Sequence, residues 1–133
     1  MNPIESRLEI RVRYCECDPM GVVHHTVYPI WFEMGRTELL RSSGKSYRDF
    51  EAEGVLLAVV SLSVKYRRPA RYDDLVTLVT VLDDVGGVKI EHSYRLERDG
   101  ETLVVGETTL ACLDRDGRAR ALPDSLRLAA RPS

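Results

Sequence analysis

One segment of the chain carries too many bulky apolar side chains for a helix on the protein surface. Between Thr26 and Leu40, the side chains that cover most of the helix circumference are Val27, Tyr28, Ile30, Trp31, Phe32 and Met34. A helix that is apolar nearly all round is a buried helix. Thr26 is a suitable N-cap, and the missing N–H of Pro29 has no cost in a first turn. The sequence therefore predicts one wrapped central helix that runs to about residue 43 and ends at Gly44.

Much of the remaining chain alternates between apolar and polar residues, as half-buried strands do. The predicted strands are 7–14, 55–68, 75–82, 88–98 and 102–113. The residues of the first strand that should face inward are Leu8, Ile10, Val12 and Tyr14. In the second strand, the inward-facing residues should be the apolar ones at the even positions 56–66. Turn signals such as Asp99-Gly100 join the last four strands into an antiparallel run. Short helices are predicted at 46–53 and from Pro123.

A sheet with one apolar face needs a cover, and the central helix is the segment apolar enough to provide it. We therefore expect an α+β fold, in which a curved antiparallel sheet of about five strands wraps around one long central α-helix. Gly35 in mid-helix suggests a close approach of the sheet or of a partner backbone. At 133 residues, the chain fits a single domain, 1–133. Open sheet edges predict a homodimer that pairs edge to edge, and further assembly to a homotetramer is expected.

Charge and cysteine content exclude several classes of protein. A net charge of −2 offers no overall attraction for nucleic acid or an anionic membrane. No apolar run is long enough for a signal peptide or a membrane span. Cys15 and Cys17 are badly placed to bridge each other, and Cys112 is remote, so reduced thiols in a cytoplasmic protein are expected.

Residues with catalytic chemistry come just before the predicted helix. Asp18, His24 and His25 precede an end that carries free N–H groups and a partial positive charge, which stabilise developing negative charge. Asp18 could act as a nucleophile or a general base on a carbonyl substrate. The alternative is that an Asp before Pro only forms an Asx turn or caps the helix. We expect one of the two histidines to face the site and the other to pack or meet solvent.

Two further sets of side chains allow more than one interpretation. Cys15 and Cys17 with the histidine pair suggest zinc, but they lack the C-x2-C spacing of structural sites, and we expect no metal. Four cations lie within seven residues: Lys65, Arg67, Arg68 and Arg71. They could bind the phosphates of a nucleotide-containing substrate such as coenzyme A, or form a solvated strand end that discourages aggregation. His92 is expected to be a satisfied core histidine, and Glu33 to pair with Arg36.

Two motifs carry a resemblance to a known family. The run YCECDPMGVVHH at 14–25, continuing through Tyr28 and Trp31-Phe32-Glu33 to Arg36, resembles the signature of the 4-hydroxybenzoyl-CoA thioesterase-like acyl-CoA thioesterases. The run YRRPARYDD at 66–74 is also typical of that family. The resemblance covers nearly the whole chain and implies the hotdog fold, with sites at the dimer interface and coenzyme A as part of the substrate rather than a cofactor.

The resemblance also implies roles for individual residues. Asp18 matches the catalytic aspartate of the family, and His25 matches a position that carries His or Asn near the thioester. Tyr28, Lys65, Arg67 and Arg68 are the expected substrate-binding residues. Where relatives often read Tyr-His-x-Asn-Tyr, this chain has His24-His25-Thr26-Val27-Tyr28, so the sequence does not identify the acyl group.

The expected reaction is therefore hydrolysis of an acyl-CoA thioester to a free acid and coenzyme A, with helix N-terminal amides binding the carbonyl oxygen. Two alternatives remain open at this point. One is a hotdog hydratase or dehydratase that acts on enoyl-CoA, and the other is a non-catalytic module that binds acyl-CoA or an acyl carrier.

Overall fold

The computed structural model describes residues 4–42, 44 and 46–124. Its helices and strands, in chain order, are β1 Ile4–Arg11, α1 Val27–Arg41, α2 Tyr47–Ala52, β2 Leu56–Tyr66, β3 Leu75–Val85, β4 Lys89–Arg98 and β5 Glu101–Leu113. A turn of 3₁₀-helix, Tyr14–Glu16, lies between β1 and α1. The helix predicted from Pro123 lies almost entirely outside the described residues. The predicted second helix at 46–53 is confirmed, with the Ser46 side chain as its N-cap.

The five strands form one antiparallel sheet in the order β1-β3-β4-β5-β2. Between β4 and β5, Asp99 and Gly100 both have positive φ, 51° and 81°, as a two-residue hairpin turn requires. The prediction that the last four strands form one continuous run is wrong, because β2 pairs with β5 and not with β3. A turn signal marks where the chain reverses, but it does not specify which strand becomes the neighbour.

Helix α1 packs closely on one face of the sheet. The Phe32 ring stacks on Tyr94 with centroids 4.3 Å apart, and it lies over Gly106, where a Cβ would approach it closer than 3.0 Å. A Cβ on Gly35 would lie 2.7 Å from Leu78 Cδ2 and would also clash with the Thr80 hydroxyl. The prediction that the sheet comes close at Gly35 is therefore confirmed. Two glycines, one in the helix and one in β5, set how near the two layers lie.

The prediction that α1 is wrapped all round is wrong within one chain. Trp31 and Phe32 are each only 1% exposed, whereas Ile30 is 57% and Met34 is 42% exposed. The sheet covers one side of the helix and leaves an apolar strip on the other. The apolar content of α1 therefore exceeds what a single chain buries, and such a strip is typical of an interaction surface.

A β-bulge in β2 overturns the prediction that every even position from 56 to 66 faces the core. Before the bulge, Leu57 and Val59 oppose the buried Cys112 and Leu110 of β5. After it, the inward positions become even, with Leu62 opposite the buried Thr108. The extra residue lies between Val59 and Ser61 and moves the strand's side chains to the other face. β2 is an edge strand, and its inner side is largely uncovered.

The first strand begins and ends three residues earlier than predicted. Ile10 and Val12 point into the core as expected, but Tyr14 belongs to the 3₁₀ turn and is 80% exposed. The alternation predicted for β4 is confirmed, since Ile90, His92, Tyr94 and Leu96 are all buried. The sheet and the α1 packing place the 3₁₀ turn, the loop after it and the end of β2 on the same side of the molecule.

Candidate functional site

The loop that holds Asp18 is closed on itself by backbone hydrogen bonds. Cys17 and Val23 form an isolated antiparallel bridge, and the Asp18 amide donates to the Val22 carbonyl at 2.8 Å. Gly21 has a φ of +77°, which favours glycine and lets the chain reverse. The loop is therefore a small ordered hairpin, in which the Asp18 backbone has a defined position.

The two carboxylate oxygens of Asp18 have different surroundings. Oδ1 accepts hydrogen bonds from the amides of Met20 at 2.9 Å and Val22 at 3.4 Å, so the Asx turn considered from the sequence is present. Oδ2 has no hydrogen-bond partner among the described residues. One oxygen orients the carboxylate while the other remains available, so the Asx turn and a catalytic role are compatible.

A second segment fixes the far side of this loop. The Val23 amide donates to the Ala70 carbonyl at 2.8 Å, and Val22 bridges to Arg71. Asp74 holds that segment by accepting from the Arg71 amide at 2.9 Å and from Arg98 at 2.7 Å. Burial raises the pKa of Asp74, but these hydrogen bonds and charges outweigh burial, so its pKa lies below the usual value. The second sequence motif therefore supports the first one.

Glu16 is a site residue that the sequence analysis missed. It is 6% exposed, and its carboxylate accepts from the Trp31 indole N–H at 2.9 Å and from the Arg13 amide at 2.8 Å. Burial raises the pKa of Glu16, but these bonds and the Arg13 guanidinium lower it to a net value below the usual one. Glu16 thus ties the turn just before Asp18 to the buried side of α1. Its position two residues before Asp18 was the only signal in the sequence.

A cavity of about 240 Å³ opens beside the loop. Its lining residues are Val23, His25, Tyr28, Tyr66, Arg67, Arg68 and Pro69. It brings together four of the six predicted site residues, which are His25, Tyr28, Arg67 and Arg68. Asp18 is not part of this lining, but its charge contributes to raising the pKa of Tyr28, so the carboxylate lies within electrostatic range of the cavity wall.

Two tyrosines form the wall of the cavity. The rings of Tyr28 and Tyr66 lie 5.5 Å apart, and the Tyr66 hydroxyl donates to the His25 carbonyl at 3.1 Å. The Tyr28 hydroxyl accepts from the Ala70 amide at 3.4 Å. Burial is the largest cause that raises the pKa of Tyr28, so its hydroxyl stays protonated at neutral pH and can donate to a ligand.

The start of α1 differs in detail from the prediction. Thr26 occupies the N-cap position, but its hydroxyl bonds to the His24 ring at 2.7 Å instead of capping the helix. The His24 and His25 rings lie side by side with centroids 4.3 Å apart, and only His25 lines the cavity. The Val27 amide donates to the His24 carbonyl at 3.0 Å, whereas the Tyr28 amide has no acceptor among the described residues.

The predicted cations separate into two groups. The amides of Arg67 and Arg68 both donate to the Leu103 carbonyl, and both side chains are exposed at the cavity. Arg68 also pairs with Glu101 at 3.5 Å. Lys65 lines a different cavity of about 300 Å³ on the outer face of the sheet, because alternate residues of a strand point to opposite faces.

The remaining observations concern metal ligands, the side chains of Arg36 and His92, and the length of the helices. In the described part of the chain, no three His, Cys, Asp or Glu side chains are grouped closely enough to hold a metal ion. Arg36 and Glu33 pair as predicted, at 3.8 Å. His92 is buried as predicted, but it is not satisfied, because its Nδ1 has no partner among the described residues. None of the helices described is long and apolar enough to cross a membrane.

Comparison with known sequences supports a common origin over nearly the whole chain. A family model described as the thioesterase-like superfamily matches residues 12–130. The acyl-CoA thioester hydrolase YbgC of Escherichia coli O6:H1 is 34% identical over 128 residues, which cover 95% of this chain and 96% of the relative.

Comparison with solved structures identifies the fold. The DHNA-CoA thioesterase from Staphylococcus aureus superposes with a TM-score of 0.83 at 31% identity, covering 89% of this chain and 79% of the other. A 4-hydroxybenzoyl-CoA thioesterase mutant, complexed with 4-hydroxybenzoyl-CoA, gives a TM-score of 0.88 at 18% identity, covering 96% and 99%. At 18% identity the likeness concerns the fold alone, and it confirms the hotdog fold predicted from the sequence.

The buried bonds of Glu16 predict a measurable loss of stability. Glu16→Gln removes the charge that strengthens the hydrogen bonds from Trp31 and Arg13, so the free energy of unfolding at pH 7 should fall by about 1–3 kcal/mol. Urea denaturation measures this change. The exposed Glu9→Gln is the matched control and should lie within about 0.5 kcal/mol of wild type.

The same pair of variants tests the pKa of Glu16. Because its folded pKa is lowered, the stabilisation is fully present above the unfolded pKa of about 4.3 and is lost as the pH falls through the folded value. The difference between wild type and Glu16→Gln should therefore shrink below about pH 4. A difference that is as large well below pH 4 as it is at pH 7 would contradict the lowered pKa of Glu16.

Proposed function

The chain belongs to the thioesterase-like superfamily, and on this premise we propose that it hydrolyses an acyl-CoA thioester to a free carboxylic acid and coenzyme A. The supporting observation is that the Asp18 loop and a cavity lined by His25, Tyr28, Arg67 and Arg68 meet at the first turn of α1. The proposal combines the Asp18 carboxylate, the amides at the start of α1 and the cations Arg67 and Arg68 in one site.

Asp18 supplies the attacking group in this proposal. Its Oδ1 is held by two amides, and its Oδ2 either removes a proton from a water molecule or attacks the thioester carbonyl directly. In the first route the water oxygen bonds to the carbonyl carbon, the C–S bond breaks, and the proton passes to the thiolate. In the second route an Asp18 carboxylate oxygen bonds to the carbonyl carbon as the C–S bond breaks and the thiolate leaves, which forms an acyl anhydride. Water then hydrolyses the anhydride to the free acid and the Asp18 carboxylate, and its released proton passes to the thiolate.

The start of α1 supplies the groups that stabilise the transition state. The Tyr28 amide, with no acceptor among the described residues and at the positive end of the helix, is the donor that we assign to the carbonyl oxygen. His25 lines the same cavity and would orient the thioester or assist the departing thiolate. Tyr28 lines this cavity too, and its ring would contact the substrate there.

Arg67 and Arg68 are the proposed phosphate ligands. Their side chains are exposed at the cavity mouth, and guanidinium groups form paired hydrogen bonds with phosphate oxygens. Lys65 is the third predicted cation, but it faces the outer side of the sheet. It would reach coenzyme A only if the nucleotide end of the substrate extends around β2 to that side.

We further propose that the chain works as a homodimer in the cytoplasm. β2 is an edge strand with exposed apolar side chains, among them Val59, Val60 and Leu62, and such an edge is unfavourable in a monomer. Pairing with β2 of a second copy would satisfy its backbone groups. A homotetramer would need a second surface, for which the strip of Ile30 and Met34 on α1 is one candidate. The three cysteines are free, which agrees with a reducing compartment.

Asp18→Asn should lower the turnover number by at least about 10²-fold, because an amide can neither accept the proton nor attack the carbonyl. Release of coenzyme A, followed with a thiol-reactive dye over aromatic, short, medium and long acyl-CoAs, measures this. Asp116→Asn, in an exposed turn, is the control and should retain wild-type turnover. Near wild-type rates for Asp18→Asn would remove Asp18 from the mechanism. Water addition to enoyl-CoA would support the hydratase or dehydratase instead of the proposed hydrolase. Ligand binding without thiol release would support the non-catalytic binding module.

Replacing Arg67 and Arg68 with alanine should raise KM for a coenzyme A ester about 10-fold or more, while KM for the matching pantetheine thioester, which lacks the nucleotide phosphates, changes little. Steady-state kinetics on both substrates measure the difference. Arg118→Ala, also exposed, is the control. Equal changes for the two thioesters would support the alternative that these cations only protect the strand end. Lys65→Ala in the same assay tests whether the outer face takes part.

The dimer predicts a specific effect of charge on the edge strand. Wild type should sediment at twice the 15.1 kDa of one chain, and Val60→Lys should weaken the dimer by about 10-fold or more in Kd. Leu75→Lys is the matched control, because Leu75 is 45% exposed but lies on β3. A monomeric wild type at micromolar concentration, or dissociation caused only by Leu75→Lys, would contradict pairing through β2.

A further inference from the structure

An ion-pair network lies beside the cavity of the proposed site. Glu101, just after the turn between β4 and β5, pairs with two arginines: its Oε2 is 3.5 Å from Arg68 Nε, and its Oε1 is 3.7 Å from Arg98 Nη2. Arg98 also pairs with Asp74 at 2.7 Å and donates to the Pro69 carbonyl at 3.4 Å. Arg68 and Pro69 line the cavity, so the network reaches its wall.

Glu101 occupies one of the two arginines to which the proposed function assigns the substrate phosphates. Arg68 carries this carboxylate, whereas Arg67 forms no ion pair with any of the described residues. A carboxylate and a phosphate use the same N–H donors of a guanidinium group. A phosphate that binds Arg68 must therefore compete with Glu101, whereas one that binds Arg67 has no such competitor among the described side chains.

Arg98 gives Glu101 a second partner that does not depend on Arg68. The Arg98 side chain is 27% exposed, and its bonds to Asp74 and Pro69 fix it against the 66–74 segment. A carboxylate that lost Arg68 to a phosphate would therefore stay paired with Arg98, with its negative charge close to that of the phosphate. Exposed ion pairs of this kind change an equilibrium by up to about fivefold, and the repulsion between close like charges is of similar size.

We propose that Glu101 determines the specificity of the site by competing with a substrate phosphate for Arg68. The carboxylate weakens the binding of thioesters that carry phosphate, such as coenzyme A esters, and has no effect on thioesters without phosphate. This inference rests on the proposed thioesterase function and on Arg68 as a phosphate ligand. If Glu101 instead held Arg68 in the orientation that binds phosphate, its removal would have the opposite effect on KM.

The first test replaces Glu101 by its neutral isostere. Glu101→Gln should lower KM for a coenzyme A ester about three- to fivefold, because Arg68 loses its competitor, and should leave KM for the matching pantetheine thioester within about twofold of wild type. Steady-state kinetics with a thiol-reactive dye measure both values. Glu38→Gln is the matched control, since Glu38 is 45% exposed against 44% for Glu101, and neither Glu38 nor its partner Arg41 lines the cavity. It should change neither KM.

The two arginines supply a second test. In an Arg68→Ala background, Glu101→Gln should change KM for the coenzyme A ester by less than about twofold, because the arginine for which carboxylate and phosphate compete is gone. In an Arg67→Ala background, the decrease of about three- to fivefold should persist, since Arg67 has no part in the ion pair. A decrease of equal size in both backgrounds would overturn the inference, because it would then reflect only the change in net charge.

Coenzyme A binding separates this inference from the proposed function. Isothermal titration calorimetry with coenzyme A needs no turnover, and Kd should be about three- to fivefold lower for Glu101→Gln than for wild type. An unchanged or higher Kd, or an unchanged or higher KM for the coenzyme A ester, would overturn the inference and leave the thioesterase function intact. No thiol release from any acyl-CoA would overturn the proposed function, and the calorimetric comparison would then still decide the role of Glu101. Glu101 is exposed, so its variant is expected to fold.

Discussion

The contact between α1 and the sheet is the constraint on which the remaining structure depends. Phe32 lies against Gly106 and Tyr94, and Gly35 lies against Thr80 and Leu78, at distances that leave no room for a Cβ on either glycine. Because protein interiors are close-packed, this contact determines both the distance and the rotation of the helix over the strands. The rotation then decides which side chains of α1 face the core, which face a cavity and which remain exposed.

The proposed catalytic loop takes its position from that same helix. Trp31 is buried in the core and donates to Glu16, and Glu16 in turn orders the turn that leads to Asp18. The other side of the loop is held through Val23 and Ala70. A loop supported on both sides keeps a carboxylate oriented without a large rearrangement when the substrate binds, which is the condition for efficient electrostatic catalysis.

The helix does not cover the whole sheet, and the uncovered part is where the proposed dimer interface lies. α1 packs on β1 and β3 and, through Phe32, on β4 and β5, whereas Val59 and Leu62 on the inner side of β2 remain about half exposed. Neither α1 nor another of the described elements covers these two apolar side chains fully. A second copy of the protein that pairs with the edge of β2 would cover them.

Local patterns in the sequence were sufficient to predict most of the helices and strands of this protein. The strong apolar character of 27–40, the alternation of β4 and the Asp99-Gly100 turn predicted the elements, because these properties depend on neighbours along the chain. The two motifs contain His25, Tyr28, Arg67 and Arg68, which line one cavity in the structure. The fold class followed from the need to cover one apolar face of a sheet.

Tertiary structure alone decided the remaining features. The pairing of β2 with β5, the bulge that reverses its inward face and the placement of Lys65 on the outer side all depend on a partner strand distant in sequence. The role of Glu16 depends on a hydrogen bond with Trp31, fifteen residues away, and a buried carboxylate looks like any other in a sequence. Alternation shows that a strand has two faces, but only the packing of the other layers determines which face is buried.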